Sequence, residues 1–409
     1  MSMADTLELE TIRPSSSNYR PDIQGLRALA VVLVILCHAS VPHFGAGYVG
    51  VDVFFVISGF VITSLLLRQP EGQLWRNLGH FYARRARRIL PASALVLILT
   101  MIATYYWLGA YVGNILATDV RWASLFSANF HFISVGQNYF TQGQKSLIEH
   151  YWSLAVEEQF YFVIPLALFT VTAVVALRFR RLALASLLGV VIVASSVWSV
   201  VETHQAPSAA YFSPFTRFWE LALGALVATM ASRALGNVPT LFSSRPPRWL
   251  RPLVQWVAFG SILYCALSYP AEAAAPGQIP GWKMWGPCAA AAILLWPTAQ
   301  PSKWSPASLL AWRPVRYLGD VSYSLYLYHY AWLMIPLTYA LTPAMSAWSR
   351  VLQIAGAVAC SVVSYHVLEN PIRRSKALDR RPLASLPIAL ACVGLVWLVA
   401  WLCQTYWTL

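Results

Sequence analysis

Apolar runs of about 20 residues recur along this chain, separated by short loops rich in arginine. Runs of that length match the hydrocarbon thickness of a bilayer and exceed what a soluble helix keeps apolar. Eleven spans are expected, at 26–44, 47–67, 90–112, 150–172, 182–201, 215–232, 252–268, 284–299, 317–340, 346–368 and 384–406. The stretch 114–148 contains "RWASLFSANFHFI", which is too polar and interrupted to span, and it reads as an interfacial helix and loop. The expected fold class is an all-α polytopic membrane protein of about 11 transmembrane helices, ten in the core plus one C-terminal.

Composition agrees. The 409 residues are 58% hydrophobic and 11% charged, too little charge to cover a soluble domain of this size. Placement of the basic residues then gives a direction. With the N-terminus cytoplasmic, the even-numbered spans return to basic loops at 76–88, 178–181, 243–251, 312–316 and 371–381, while the opposite loops hold only Arg121, Lys145, Lys283 and Arg350. The C-terminus is then extracytoplasmic. The net charge of +13 is therefore mostly topological, and no soluble face offers a nucleic-acid surface. Six cysteines lie in or beside spans without a CxxC pair and read as packing residues. Residues 1–24 form a polar cytoplasmic tail without a cleavable signal pattern, 25–374 the main membrane domain, and 375–409 a basic loop with the last span.

Ionisable residues inside spans are the candidate chemistry. Arg27 and His38 are 11 residues apart, a helical rotation of about 1100°, so both lie on one face about 16 Å apart along the axis. With Arg27 at the cytoplasmic edge, His38 falls near mid-bilayer. Asp52 opens the second span, where an acid could orient the His38 ring as a general base needs, or simply be solvated from outside. Gly45, Gly47, Gly50 and Gly59 permit close helix approach. Glu157 and Glu158 are adjacent in a span, so at most one faces a shared cavity. Arg217 and Glu220 have the spacing of an ion pair on one helix face. Tyr328 and His329 lie deep in a tyrosine-rich span, and Glu369 ends another before Pro371. Arg85 and Arg88 share a helix face and could clamp phosphate, with Arg84 and Arg87 as the alternative pair. No metal-binding set stands out.

The segments "YRPDIQGLRALAVVLVILCHA", "GYVGVDVFFVISGFVIT", "FYARRARRILPA", "YWSLAVEEQFYFVIP", "RFWELALGAL" and "LGDVSYSLYLYHY", in that order, resemble the successive signatures of the bacterial acyltransferase-3 family of integral-membrane O-acyltransferases. The resemblance covers residues 19–374. It implies that Arg27 and His38 form the Arg-x10-His signature with a catalytic histidine, and that Arg85 and Arg88 form the Arg-x-x-Arg element associated with the acyl-CoA donor. Glu369 then corresponds to a Glu-x-Pro element, and His329 to the "SYSLYLxH" histidine.

The function so implied is transfer of an acyl group, acetyl by default, from cytosolic acyl-CoA to a hydroxyl of a carbohydrate, glycolipid or related acceptor, in the bacterial cytoplasmic membrane. His38 acts as base or transient acyl carrier. No bound cofactor is expected; acyl-CoA is a substrate. Many relatives carry an extracytoplasmic SGNH-hydrolase-like domain after the last span. Read as a stand-alone form without it, the chain is expected to finish transfer in the membrane or pass its acyl group to a separate extracytoplasmic partner. A flippase for an envelope glycolipid and a silent scaffold are the other classes that intramembrane charges allow.

Overall fold

The structure is a computed structural model that describes residues 20–68, 74–139, 145–232, 235, 249–271, 277–296, 303–339 and 346–407. Among these residues there are helices and turns and no strand. Eleven principal helices run in order: α1 Pro21–His38, α2 Val49–Leu67, α3 Leu74–Ser124, α4 Tyr151–Val174, α5 Leu177–Gln205, α6 Phe218–Ala231, α7 Leu250–Ser268, α8 Trp285–Leu295, α9 Ser322–Tyr339, α10 Ala347–Ser364 and α11 Ser385–Tyr406. Each of the eleven expected spans falls on one of them. Eight helical stretches are long and apolar enough to cross a membrane. The others are α6 and α8, which are short, and α9, whose tyrosines and histidine dilute its apolar character.

The boundaries differ in ways that matter. α1 starts five residues earlier than its expected span, with Pro21 in its first turn, and it ends on His38. The chain then turns through Ser40 (φ 51°) and His43 (φ 70°) rather than continuing the helix. His38 is thus the last residue of its helix, not a residue of its middle. α8 stops at Leu295 because Arg20 donates to the Leu294 and Leu295 carbonyls and Trp296, which precedes Pro297, is extended. α6 ends in the same manner, with Arg181 donating to the Thr229, Met230 and Ser232 carbonyls.

α3 extends well past its expected end at 112, and the polar stretch after it is partly helical. The helix breaks at Gly109, whose φ of 81° suits glycine alone. The chain folds back there: Tyr105 Oη donates to Asn114 Oδ1 at 2.7 Å across the break. The returning arm lies along α11, with Trp397 Nε1 bonded to Ser124 Oγ and Arg121 to Gln404. A short helix, Ala128–Ser134, follows.

α1, α2 and α3 are the most buried, with 61%, 72% and 61% of their apolar windows buried, whereas only 22% is in the stretch from α10 to Arg380 and 17% in that containing α11. The outer helices instead present bare apolar side chains such as Leu390 and Val351, as a lipid-facing surface must. Glycine sets the inner spacing. A Cβ on Gly59 of α2 would stand 1.8 Å from the Leu221 carbonyl oxygen of α6, and one on Gly224 of α6 would stand 1.9 Å from that of Val56. Two backbones touch, as small residues allow in membranes. Gly59→Val is therefore expected to lower stability by at least the about 1–3 kcal/mol typical of overpacking. Thermal unfolding in detergent checks this, and an unchanged midpoint would refute the contact.

Candidate active site

α9 presents Tyr326, His329 and Tyr330 on one face, spaced by three and four residues, to the end of α1. His38 Nδ1 lies 2.9 Å from His329 Nε2, with the rings stacked at 5.2 Å. The other nitrogen of His329, Nδ1, is 2.7 Å from the Tyr326 carbonyl and 3.2 Å from that of Leu325. A carbonyl can only accept, so Nδ1 of neutral His329 carries the proton and Nε2 the lone pair. His38 Nδ1–H must then donate to His329, which leaves the His38 lone pair on Nε2. A base held in one tautomer and orientation by a second group is the arrangement that proton abstraction requires.

Around this pair the polar groups are tied down. Tyr330 packs edge-on against His38 at 4.9 Å and donates through Oη to Glu149 Oε2 at 3.0 Å. Glu149, 1% exposed, also accepts from Gln137 at 2.6 Å. His150 donates through Nε2 to the Leu327 carbonyl and lies against His329 at 5.5 Å and Tyr330 at 4.9 Å. Its Nδ1 is buried without a hydrogen-bond partner among the described residues. Tyr326 Oη and Ser153 Oγ are 2.6 Å apart, and both reach the His150 carbonyl.

A second cluster gathers charged residues from α1, α3, α4 and the segment after α10. Glu158 holds Arg85 in a two-point pair, Oε2 to Nε at 2.7 Å and Oε1 to Nη2 at 2.5 Å, with the guanidinium 3.5 Å over the Tyr161 ring. Glu157 accepts from Ser58 Oγ at 2.5 Å and from Tyr161 Oη. Both adjacent glutamates are thus engaged, on different partners. Glu369 closes the π-helical turn Tyr365–Glu369, accepts from Ser324 at 2.8 Å and lies 3.9 Å from Arg373. Such turns often mark functional positions in helices. Arg27 donates to Gln24. Half-buried Arg88 feels the charges of Arg27, Arg85, Arg373 and Glu369 yet makes no hydrogen bond among the described residues. Of the alternative pair, Arg87 is bound to Asp379 and Arg84 points outward, so neither shares this cluster.

The third cluster corrects one expectation. Asp52 does not orient His38. Its Oδ1 accepts from Arg217 Nη1 at 2.8 Å, and the same nitrogen donates to Glu220 Oε1 at 3.0 Å, which bears out the expected Arg217–Glu220 spacing. Burial drives this choice: all three groups are at most 2% exposed, and a carboxylate there needs a cation more than a neutral ring. Cys288 Sγ lies within 4.8 Å of both carboxylates, but Arg217 bridges the two acids where a metal ion would have to sit. Tyr328 is also displaced from the expected site. It stands beside Ser364 and Cys360 of α10, about 200° around α9 from Tyr326 and Tyr330.

Glu149, His150, Tyr326 and Tyr330 were missed by reasoning from sequence. For the two tyrosines the signal was present, since Tyr326 stands three residues before His329 and four before Tyr330 on one helix face. Glu149 and His150 sit at the edge of a span, where polar residues are ordinary.

Helices with lipid-facing apolar surfaces that enclose a histidine pair and an inward arginine cluster define a polytopic membrane protein with its ionisable groups turned inward. Residues 20–366 match the acyltransferase domain of the acyltransferase-3 family, and the chain belongs to that family. It is 33% identical over 368 residues to the Bacillus subtilis protein named "Putative peptidoglycan O-acetyltransferase YrhL", covering 87% of this chain and 55% of that one. It is 29% identical over 371 residues to the peptidoglycan O-acetyltransferase OatA of Listeria monocytogenes, covering 88% and 57%. The chain spans little more than half the length of these relatives. No solved structure matches it.

Proposed function

We propose that this protein is a membrane O-acyltransferase that moves an acetyl group from acetyl-CoA, bound from the cytosolic side, to a hydroxyl of an envelope glycan of the peptidoglycan class. The observation that carries this reading is the His38–His329–Tyr326 carbonyl chain, which leaves a lone pair on His38 Nε2. The family supports the reaction class, and the peptidoglycan named for the relatives supports the choice of acceptor. In this mechanism His38 Nε2 takes the proton of the acceptor hydroxyl as its oxygen attacks the thioester carbonyl. The tetrahedral intermediate collapses, the carbon–sulfur bond breaks, and the imidazolium returns the proton to the thiolate, giving the ester and free CoA. The basic loops support a cytoplasmic N-terminus. In that orientation α1 carries Arg27 on the donor side and ends at His38 towards the acceptor side.

Purified protein in liposomes, given acetyl-CoA and glycan fragments, tests the reading: CoA thiol release should require the acceptor. Glycan movement without thiol release would make the protein a flippase instead.

Donor binding falls chiefly to Arg88, because Glu158 already holds Arg85. Arg88→Ala should raise KM for acetyl-CoA by about 10–100-fold, the scale of one or two hydrogen bonds to a charged group. Arg85→Ala should instead reduce the yield of folded protein by leaving Glu158 unpaired. An unchanged donor KM in Arg88→Ala would remove that residue from the site.

A further inference from the structure

A groove of about 580 Å³ opens between α6, α7 and α8, a volume within the range of small-ligand sites. Its lining is apolar except for Arg251 and Gln255, four residues apart on one face of α7. Along α8 it runs from Trp285 to Trp296, about 16 Å at helical rise, which is half the about 30 Å of a hydrocarbon core. The groove therefore has the length of one leaflet.

Charge is placed at one end only. Met230 near the end of α6, Trp296 just after α8 and Arg251 in the first turn of α7 mark that end. The neighbouring basic residues Arg181 and Arg20 cap the carbonyls of α6 and α8. Arg251 is different. Its Nε is sealed from solvent without a hydrogen-bond partner, and the side chain makes no hydrogen bond or ion pair among the described residues. It also sits at the N-terminus of a 19-residue helix that no side chain caps, so helix and guanidinium add the same sign. The basic loop at 243–251 puts this end at the inner surface under the positive-inside rule.

We infer that the groove binds an anionic glycerophospholipid of the inner leaflet, with one acyl chain along α8 and its phosphate on Arg251 and the first turn of α7. An apolar channel of leaflet length with one uncompensated cation at its headgroup end fits that amphiphile. A zwitterionic lipid carries its own ammonium beside the phosphate and so gains less from Arg251, and free phosphate would leave the channel unfilled. The inference does not depend on the acyltransferase reading.

The test is native mass spectrometry of the purified protein exposed to equimolar phosphatidylglycerol and phosphatidylcholine. Wild type should retain one phosphatidylglycerol with about tenfold preference. R251Q should lose the preference, and Ala289→Phe, which fills the groove, should lose retention of the chain with an unchanged melting temperature. Inorganic phosphate at millimolar concentration should not displace the lipid. Equal retention of the two lipids, full retention by either variant, or displacement by phosphate alone would overturn the assignment.

Discussion

Alanine in place of His38 is expected to lower acetyl transfer by about 10²–10⁴, the usual contribution of general-base catalysis. The protein should still fold, because His38 ends its helix and contributes one hydrogen bond to His329 rather than a core side chain. Loss of His329 should act through His38. His329→Ala removes the acceptor that fixes the His38 tautomer, so kcat should fall while KM for acetyl-CoA stays unchanged. His329→Gln keeps an amide oxygen that can accept from His38 Nδ1 and should recover part of the rate. Single-turnover measurement of CoA release separates these effects from donor binding. A His38→Ala enzyme retaining more than half of the wild-type chemical rate would end the assignment, and equal loss in His329→Gln and His329→Ala would deny His329 its positioning role.

The partner of His38 shows where reasoning from sequence stops. Helix periodicity places Arg27 and His38 on one face, and it pairs Arg217 with Glu220, because both relations lie within a single helix. Hydrophobic run length likewise finds every principal helix. Which residue from another helix meets His38 is a matter of packing. Asp52 is the nearest acid along the chain, yet the ring meets His329, 291 residues away. Arg85 and Arg88 look equivalent at their spacing, and only the approach of α4 assigns Glu158 to Arg85 and leaves Arg88 without a hydrogen bond among the described residues. α8 proved shorter than its apolar run, ending where Arg20 from elsewhere in the chain caps its last carbonyls. Tertiary contacts decided each of these points.

The largest expected effect on folding belongs to Arg217. Its guanidinium serves two buried carboxylates through one nitrogen and lies against the Trp152 and Tyr211 rings, 5.3 and 4.8 Å from their centres. Glu220 Oε2 has no hydrogen-bond partner among the described residues even with Arg217 in place. Arg217→Met would leave both acids without a cation in an apolar interior, where breaking a buried pair costs about 3–5 kcal/mol. Against typical stabilities of about 5–15 kcal/mol, little folded protein should survive. Lysine should rescue poorly, because a point charge cannot reproduce the planar fork and its stacking. Neutralising all three groups together, as Asp52→Asn, Arg217→Met and Glu220→Gln, should restore most of the folded yield, since replacing a whole buried ionic set is often neutral. Size-exclusion profiles and melting in detergent measure that recovery, and transfer assays then decide the role of Asp52. Because Asp52 bonds Arg217 rather than His38, the triple variant should keep activity within about an order of magnitude of wild type, less than the about 10²–10⁴ that a lost general base costs. A well-folded but inactive triple variant would return Asp52 to the chemistry, and a stable Arg217→Met protein would show that the trio holds nothing together.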